Sequence, residues 1–225
     1  MESQTTSSLA YEALRERILK FQLLPDQKLN EVELAEQMSI SRTPLREALN
    51  RLNAEGILRR EGRSFQVPGL NPVSVRALFE ARTEVEAAAV RLACERASNE
   101  DFAVLAEFLD GSVKESPDAS VDRLVELDCH FHEEIARLAQ NPELHRILRN
   151  LNDRIHLIRW VAMEGKRDLT QSEHRQILAA LRQRDVQEAE AQMRRHILHR
   201  NDEILTAIRQ AYAHVHTLHF ALDGG

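Results

Sequence analysis

Proline and glycine are crowded into one end of this chain. Pro25, Pro44, Gly56, Gly62, Pro68, Gly69 and Pro72 fall in the first third, whereas Val73 to Phe220 holds only Gly111, Pro117, Pro142 and Gly165. These two residues interrupt regular backbone, so a stretch nearly free of them can run as long helices. The change in density predicts a boundary near Gly69 to Pro72 and two domains, 1–70 and 71–225. At 225 residues each has enough chain for its own core. An aromatic content of 4% and only seven glycines argue against a turn-rich β-sandwich, which leaves a mostly α fold. Cys94 and Cys129 cannot build a disulfide framework, and no apolar run reaches the length of a membrane span or a signal-peptide core. The expectation is a cytoplasmic protein with no membrane partner.

Past the boundary, each breaker sits where a helix should begin or end. Asn71-Pro72 and Asn141-Pro142 read as an N-cap followed by proline at the first helical position, where the missing N–H has no partner to lose. Ser98 with Asp101, Thr170 with Glu173, and Asp185 with Glu188 have the spacing of a capping residue and an acid three positions on. With a further cap near Asp118 to Ser120, the pattern predicts about six helices, near 72–97, 99–115, 120–140, 142–164, 171–183 and 186–218. Apolar residues recur at helical spacing in each, as in Leu124, Leu127, Phe131, Ile135 and Leu138, so the product is an antiparallel all-helical bundle with a lumen.

The first domain reads as helix 8–21, short helix 31–38, the turn Ser39-Ile40-Ser41 and helix 43–55. Extended pieces at 57–60 and 64–67 flank Glu61-Gly62-Arg63, a hairpin signal. That order is the order of a winged helix-turn-helix. Arg42 and Arg46, four apart, share one exposed face at the start of the third helix, the end a recognition helix inserts into the major groove. An arginine fork takes O6 and N7 of guanine bidentately, and Ser41 or Thr43 suit phosphates. The net charge of −6 argues at first sight against a nucleic-acid partner. Its distribution does not: residues 42–63 carry six Arg against three Glu, the first domain is neutral at ten against ten, and the remaining 155 residues hold the whole deficit at 20 against 26. On these counts alone, a solvated basic face is as good a reading as a DNA-reading one.

The run Leu34-Ala35-Glu36-Gln37-Met38-Ser39-Ile40-Ser41-Arg42-Thr43-Pro44-Leu45-Arg46-Glu47-Ala48-Leu49-Asn50-Arg51-Leu52, followed by Glu55-Gly56-Ile57-Leu58, resembles the signature of GntR-family transcriptional regulators. The resemblance covers residues 9–68, and the helical remainder is similar to the FadR-type effector domain, FCD, of the same family. It implies that Arg42 and Arg46 read operator bases, with Ser41, Thr43, Arg51 and Arg63 as further DNA-binding candidates, and that Gly62 lets the wing tip approach the minor groove. Val32 departs from members that carry a DNA-touching arginine there. The resemblance also implies a homodimer on palindromic double-stranded operator DNA.

Ten histidines invite a test for metal ligands. Asp128 and His132 share one face of a helix, and antiparallel packing of the last two helices can bring His174 level with His196. One carboxylate with three imidazoles suits Zn²⁺, Ni²⁺, Mn²⁺ or Fe²⁺, although spacing alone leaves a hydrogen-bonded core histidine the commoner reading. Metal-binding FCD domains resemble this pattern at all four positions, which implies a divalent metal at Asp128, His132, His174 and His196 that helps hold a small organic-acid effector. Cys129, His130 and His199 point elsewhere on helical geometry; His145, His156, His214, His216 and His219 read as surface or tail residues. Arg82 matches a family arginine that faces the cavity, where its fork would bind a carboxylate, but it lies four residues before Glu86 and reads equally as half of an intrahelical ion pair. Asn150, Arg154, Arg159 and Asn201 are further lumen candidates. The expected function is a ligand-responsive transcriptional regulator, in the sense of a repressor and not an enzyme. The alternatives are a metal-dependent hydrolase, weakened because His132-Glu-Glu-Ile-Ala136 lacks the second histidine of His-Glu-x-x-His, and a metal-stabilised helical scaffold.

Overall fold

The computed structural model describes residues 5–115, 119–163 and 167–222. It divides into two compact units, Met1–Leu70 and Asn71–Gly225.

The first unit runs α1 (Thr6–Leu19), β1 (Lys28–Leu29), α2 (Glu31–Gln37), α3 (Arg42–Ala54), β2 (Arg59–Glu61) and β3 (Ser64–Gln66). Asn30 caps α2 by accepting from the Val32 and Glu33 amides, and the turn to α3 passes through Ser39 in the left-handed region. In α3 the buried stripe Leu45, Ala48, Leu49 and Leu52 packs with Leu14 of α1 and with Leu58 and Phe65 beside the hairpin. Fully burying a leucine contributes roughly 1.5–3 kcal/mol, so this stripe fixes which face of α3 is left to solvent. β2 and β3 pair antiparallel through a Gly62-Arg63 turn, with Gly62 at φ +62 as a type II′ turn requires at its first central position. The strand β1 has no counterpart in the sequence pattern. It is too short to show a period, and it exists because Lys28 and Leu29 pair with Gln66 and Phe65, giving the order β1-β3-β2.

The second unit consists of α4 (Pro72–Arg96), α5 (Asn99–Val113), α6 (Val121–Leu138), α7 (Pro142–Met163), α8 (Arg167–Arg182) and α9 (Val186–Leu222). Helix α4 packs against α6, α7 and α9, and α8 against α5 and α9. Asn71, Ser120, Asn141 and Asp185 cap their helices as expected, and Ser98 with Asp101 forms a full reciprocal capping box. Asp118 lies outside the described residues.

The cap expected at Thr170 is corrected. Helix α8 already runs from Arg167, Thr170 is buried inside it, and the Glu173 side chain reaches across to α9 instead of back to a cap. Among the described residues no helix is long and apolar enough to cross a membrane. The core is built on Phe79, Phe102, Phe131, Ile135, Leu148 and Met193, yet Arg82, Glu86, Asp128, His132, Arg159, His174 and His196 are buried among such residues. Buried charge in an apolar interior is costly unless paired, so this group carries the functional information.

Candidate functional site

Three helices converge on one cluster of four residues. Helix α6 presents Asp128 and His132 from successive turns, α8 presents His174 and α9 presents His196; one ligand atom from each lies within 4.8 Å of the others, and all four residues are buried. His132 and His196 lie face to face, ring centroids 5.1 Å apart and 23° between planes. His174 stands edge-on to both and stacks flat on Phe131 at 4.0 Å.

Hydrogen bonds orient these rings. His132 Nδ1 contacts Glu86 Oε2, and His196 Nδ1 is 2.7 Å from Glu173 Oε2. An ionised carboxylate only accepts, so each Nδ1 donates and each Nε2 is turned inward. The two Nε2 atoms meet at 3.2 Å, His174 Nε2 lies 3.3 Å from Asp128 Oδ1, and His132 Nε2 lies 3.7 Å from the same oxygen. His174 Nε2 is buried without a hydrogen-bond partner. Lone pairs this close repel unless a proton or a cation lies between them, and three imidazoles with one carboxylate are a donor set that suits a divalent transition metal. The residues therefore fit the divalent metal that the family resemblance implies.

The surrounding charges are partnered. Asp128 Oδ2 bonds Arg159 Nη2, whose other nitrogen donates to Asn152 Oδ1 at 2.9 Å and to the Cys129 sulfur at 2.9 Å; Asn152 in turn donates to Glu133. Arg82 Nε donates to Glu86 Oε1 at 2.5 Å, both side chains being almost wholly buried, while Arg82 Nη2 has no hydrogen-bond partner. The intrahelical pair with Glu86 is thus present, and the free nitrogen of the Arg82 fork is buried. Burial favours the neutral acid of Glu86, but the Arg82 charge together with the hydrogen bond to His132 outweighs it and holds the carboxyl at about 2. Burial is likewise outweighed at Asp128, chiefly by Arg159, leaving it well below the usual carboxylate range. Burial pushes His174 down to about 3 and lowers His196, so both rings are neutral, the ligating form. A cavity of about 10 Å³, room for about one water, lies beside Asp128 and His174, bordered by Ser112 and Gln171.

The remaining candidates fall elsewhere. His130 packs against Phe108 with the rings tilted at 53°, Cys129 accepts from Arg159, and His199 pairs with the second oxygen of Glu173. His145 and His156 are half-buried, and Arg154 is exposed; the side chains of His214, His216 and His219 lie outside those described. Asn150 is half-buried, whereas Asn201 is buried with its Oδ1 unpartnered. The sequence pattern marks Glu173 only as the acid of a cap at Thr170 and Glu86 only as an ion-pair partner, and it does not mark Asn152. The one local signal was the position of Glu173 beside His174.

In the first unit, Ser41, Arg42, Thr43 and Arg46 are exposed together at the start of α3, and Gly62 and Arg63 at the tip of the hairpin. Ser41 occupies the N-cap, exposed and without a side-chain capping bond, so its hydroxyl does not take up the first amides of α3, an end suited to phosphate. Arg46 Nε is 3.0 Å from Glu31 of α2. Arg51 is held differently: its guanidinium lies 3.7 Å over the Tyr11 ring and its Nε bonds Glu55 at 3.1 Å, although the side chain stays half-exposed.

The sequence matches the family model described as "FCD domain" over residues 77–199 and the one described as "Bacterial regulatory proteins, gntR family" over residues 6–67. The Nta operon transcriptional regulator of Aminobacter aminovorans is 38% identical over 200 residues, covering 88% of this chain and 94% of that protein. The HTH-type transcriptional repressor RspR of Escherichia coli is 25% identical over 211 residues, covering 92% and 91%. The solved structure of E. coli McbR/YncC superposes with a TM-score of 0.75 over 93% of this chain and 100% of that one, a likeness of fold at 23% identity.

Proposed function

The chain belongs to the GntR family of bacterial regulatory proteins, a DNA-binding transcriptional regulator with an FCD domain and not an enzyme, and from that premise we propose that it is a repressor whose grip on operator DNA is set by a small organic acid held at a metal centre. In this reading residues 1–70 read DNA and 71–225 bind effector and dimerise. Arg42 and Arg46 would read base edges from the exposed start of α3, Ser41 and Thr43 would hold phosphates there, and Gly62 with Arg63 would bring the wing tip to the minor groove. A two-fold dimer places two such heads on a palindromic operator.

The observation that carries the sensing half is the buried Nη2 of Arg82, unpartnered and joined through Glu86 to the histidine cluster. Asp128, His132, His174 and His196 would hold the metal, whose chemistry when bound is that of a Lewis acid toward a carboxylate oxygen. Formal charge supports an anionic ligand. Asp128, Glu86 and Glu173 against Arg82 and Arg159 leave the site at −1, three against two, and a dication brings it to +1. A carboxylate then restores neutrality, with the fork of Arg82 as the planar partner that fixes its orientation. The water-sized cavity means that side chains around Ser112 and Gln171 move to admit it. Such a ligand weakens DNA binding only if the operator-bound form holds it less well, by the same factor in both directions.

The test is selection of a duplex from a random pool by the full-length protein, followed by titration of that complex with a panel of mono- and dicarboxylic acids, with and without zinc. Release by one acid, dependent on zinc, is the expected result. Release by none, or equally with chelator present, contradicts the sensing reading. A repressor named among the relatives supports the sign of regulation.

A further inference from the structure

Outside the four donor residues, two carboxylates have no role in holding either DNA or an effector, yet each is placed on the far nitrogen of a donor ring. Glu86 comes from α4 and meets His132 Nδ1; Glu173 comes from α8, one residue before His174, and meets His196 Nδ1 at 2.7 Å. They approach from different helices and bind different rings, but they impose one result. Both imidazoles present Nε2 inward, and those two atoms lie 3.2 Å apart. Among the described residues no such carboxylate meets the outer nitrogen of the third ring, which stacks on Phe131. Glu86 is already tied to Arg82, whereas the second oxygen of Glu173 is engaged by His199 at 3.1 Å, so neither glutamate is free to rotate away without breaking a second contact.

We infer that Glu86 and Glu173 are positioning residues of the metal centre: they fix the tautomer and orientation of His132 and His196 and, as negative partners on the outer nitrogen, strengthen both rings as donors. This rests on the metal reading given above. Outer partners of this kind, when removed, cost 10–100-fold in metal affinity in other proteins. Glutamine in place of glutamate still accepts from Nδ1–H through its amide oxygen but brings no charge, while alanine loses both functions. The two substitutions therefore separate orientation from charge.

The experiment uses the full-length protein and Co²⁺ as probe, with affinity measured by competition against a chelator and coordination read from the visible absorption of the ion. Glu173→Ala is expected to weaken Co²⁺ binding 10–100-fold and to change the absorption envelope, with Glu173→Gln falling between it and wild type. Glu84→Gln serves as control, because Glu84 is exposed and its carboxylate bonds Arg194, away from the donor rings. Glu86→Gln, which preserves shape beside Arg82, repeats the measurement from α4. Affinities for Co²⁺ within twofold of wild type in both Glu173→Ala and Glu86→Gln, with unchanged spectra, overturn the inference while leaving the metal centre intact. Wild-type protein that takes up no Co²⁺ overturns the metal reading and the inference with it.

Discussion

The two oxygens of Glu86 bind different partners: Oε1 takes the Arg82 guanidinium at 2.5 Å and Oε2 takes His132 Nδ1, so one buried carboxylate ties the arginine to the donor cluster. Removing Arg82 strands that carboxylate in an apolar interior with an imidazole as its remaining partner. Breaking a buried pair from one side costs roughly 3–5 kcal/mol, mostly the penalty of the charge left behind. Arg82→Ala is expected to lose that much unfolding free energy in urea, measured on metal-free protein. The double variant Arg82→Met with Glu86→Gln removes both charges and is expected to recover most of it. Equal losses in the single and double variants would contradict the pairing.

The arginines of α3 separate into two kinds by what they already touch. Arg42 is exposed at the helix start, and Arg46 there makes one solvent-facing pair with Glu31, a contact easily exchanged for a base. Each bidentate guanine contact gives about 1–3 kcal/mol of discrimination, so Arg42→Ala and Arg46→Ala are expected to lower affinity for the selected duplex about 5- to 150-fold while sparing the unfolding midpoint. Arg51, stacked on Tyr11 and bonded to Glu55, is expected to do the reverse. Its alanine variant should lose about 1 kcal/mol of stability and little base discrimination. Fluorescence anisotropy on matched and mismatched duplexes, with urea unfolding alongside, distinguishes the two behaviours.

Acid weakens the metal-free second unit in two separate windows. Burial holds His174 at about 3 in the folded chain and lowers His196 too, whereas an unfolded histidine titrates near 6.5. Between those values the unfolded chain binds more protons, so stability is present above about 6.5 and falls as pH drops. Glu86, held at about 2, and Asp128 lose their contribution only as pH falls below the unfolded carboxylate range near 4. Moving from pH 7.5 to 5.5 therefore probes the histidines, and His174 alone accounts for roughly 1 kcal/mol. His174→Gln is expected to flatten the dependence of unfolding free energy on pH over that interval. A slope unchanged by the substitution contradicts a neutral, buried His174.

How far the sequence reveals this site depends on whether a signal is local. Ser98 and Asp101 form the capping box their spacing predicts because both partners lie within one turn. Thr170 and Glu173 have the same spacing and do something else: Glu173 has a tertiary partner, His196, 23 residues on, which no local window contains. Glu86 was legible as the residue one turn after Arg82, but its second oxygen meets His132 from 46 residues away. Asp128, His132, His174 and His196 could be grouped because helical period and antiparallel packing relate them, with the family resemblance choosing among ten histidines. Arg159 was only one of several lumen candidates, since nothing near it in the chain marks it as the partner of Asp128. β1 escaped because two residues carry no alternation.

Metal binding to the folded chain alone stabilises it by mass action, about 2.7 kcal/mol at a free ion concentration one hundred times Kd. For a chain of this size that corresponds to a rise of roughly 5–10 °C in Tm. His174→Ala removes the donor whose Nε2 is buried without a hydrogen-bond partner, and with it one of the four atoms gathered within 4.8 Å. The variant is expected to lose the zinc-dependent rise in Tm and the acid-dependent release of the selected duplex together. Its metal-free affinity for that duplex should stay within twofold of wild type, because the exposed arginines of α3 lie in a separate compact unit with its own core. A structural metal would behave differently: the Tm response would vanish while release by the acid survived. Thermal scans with and without zinc, paired with the anisotropy titration on the same preparations, decide between sensing and scaffolding.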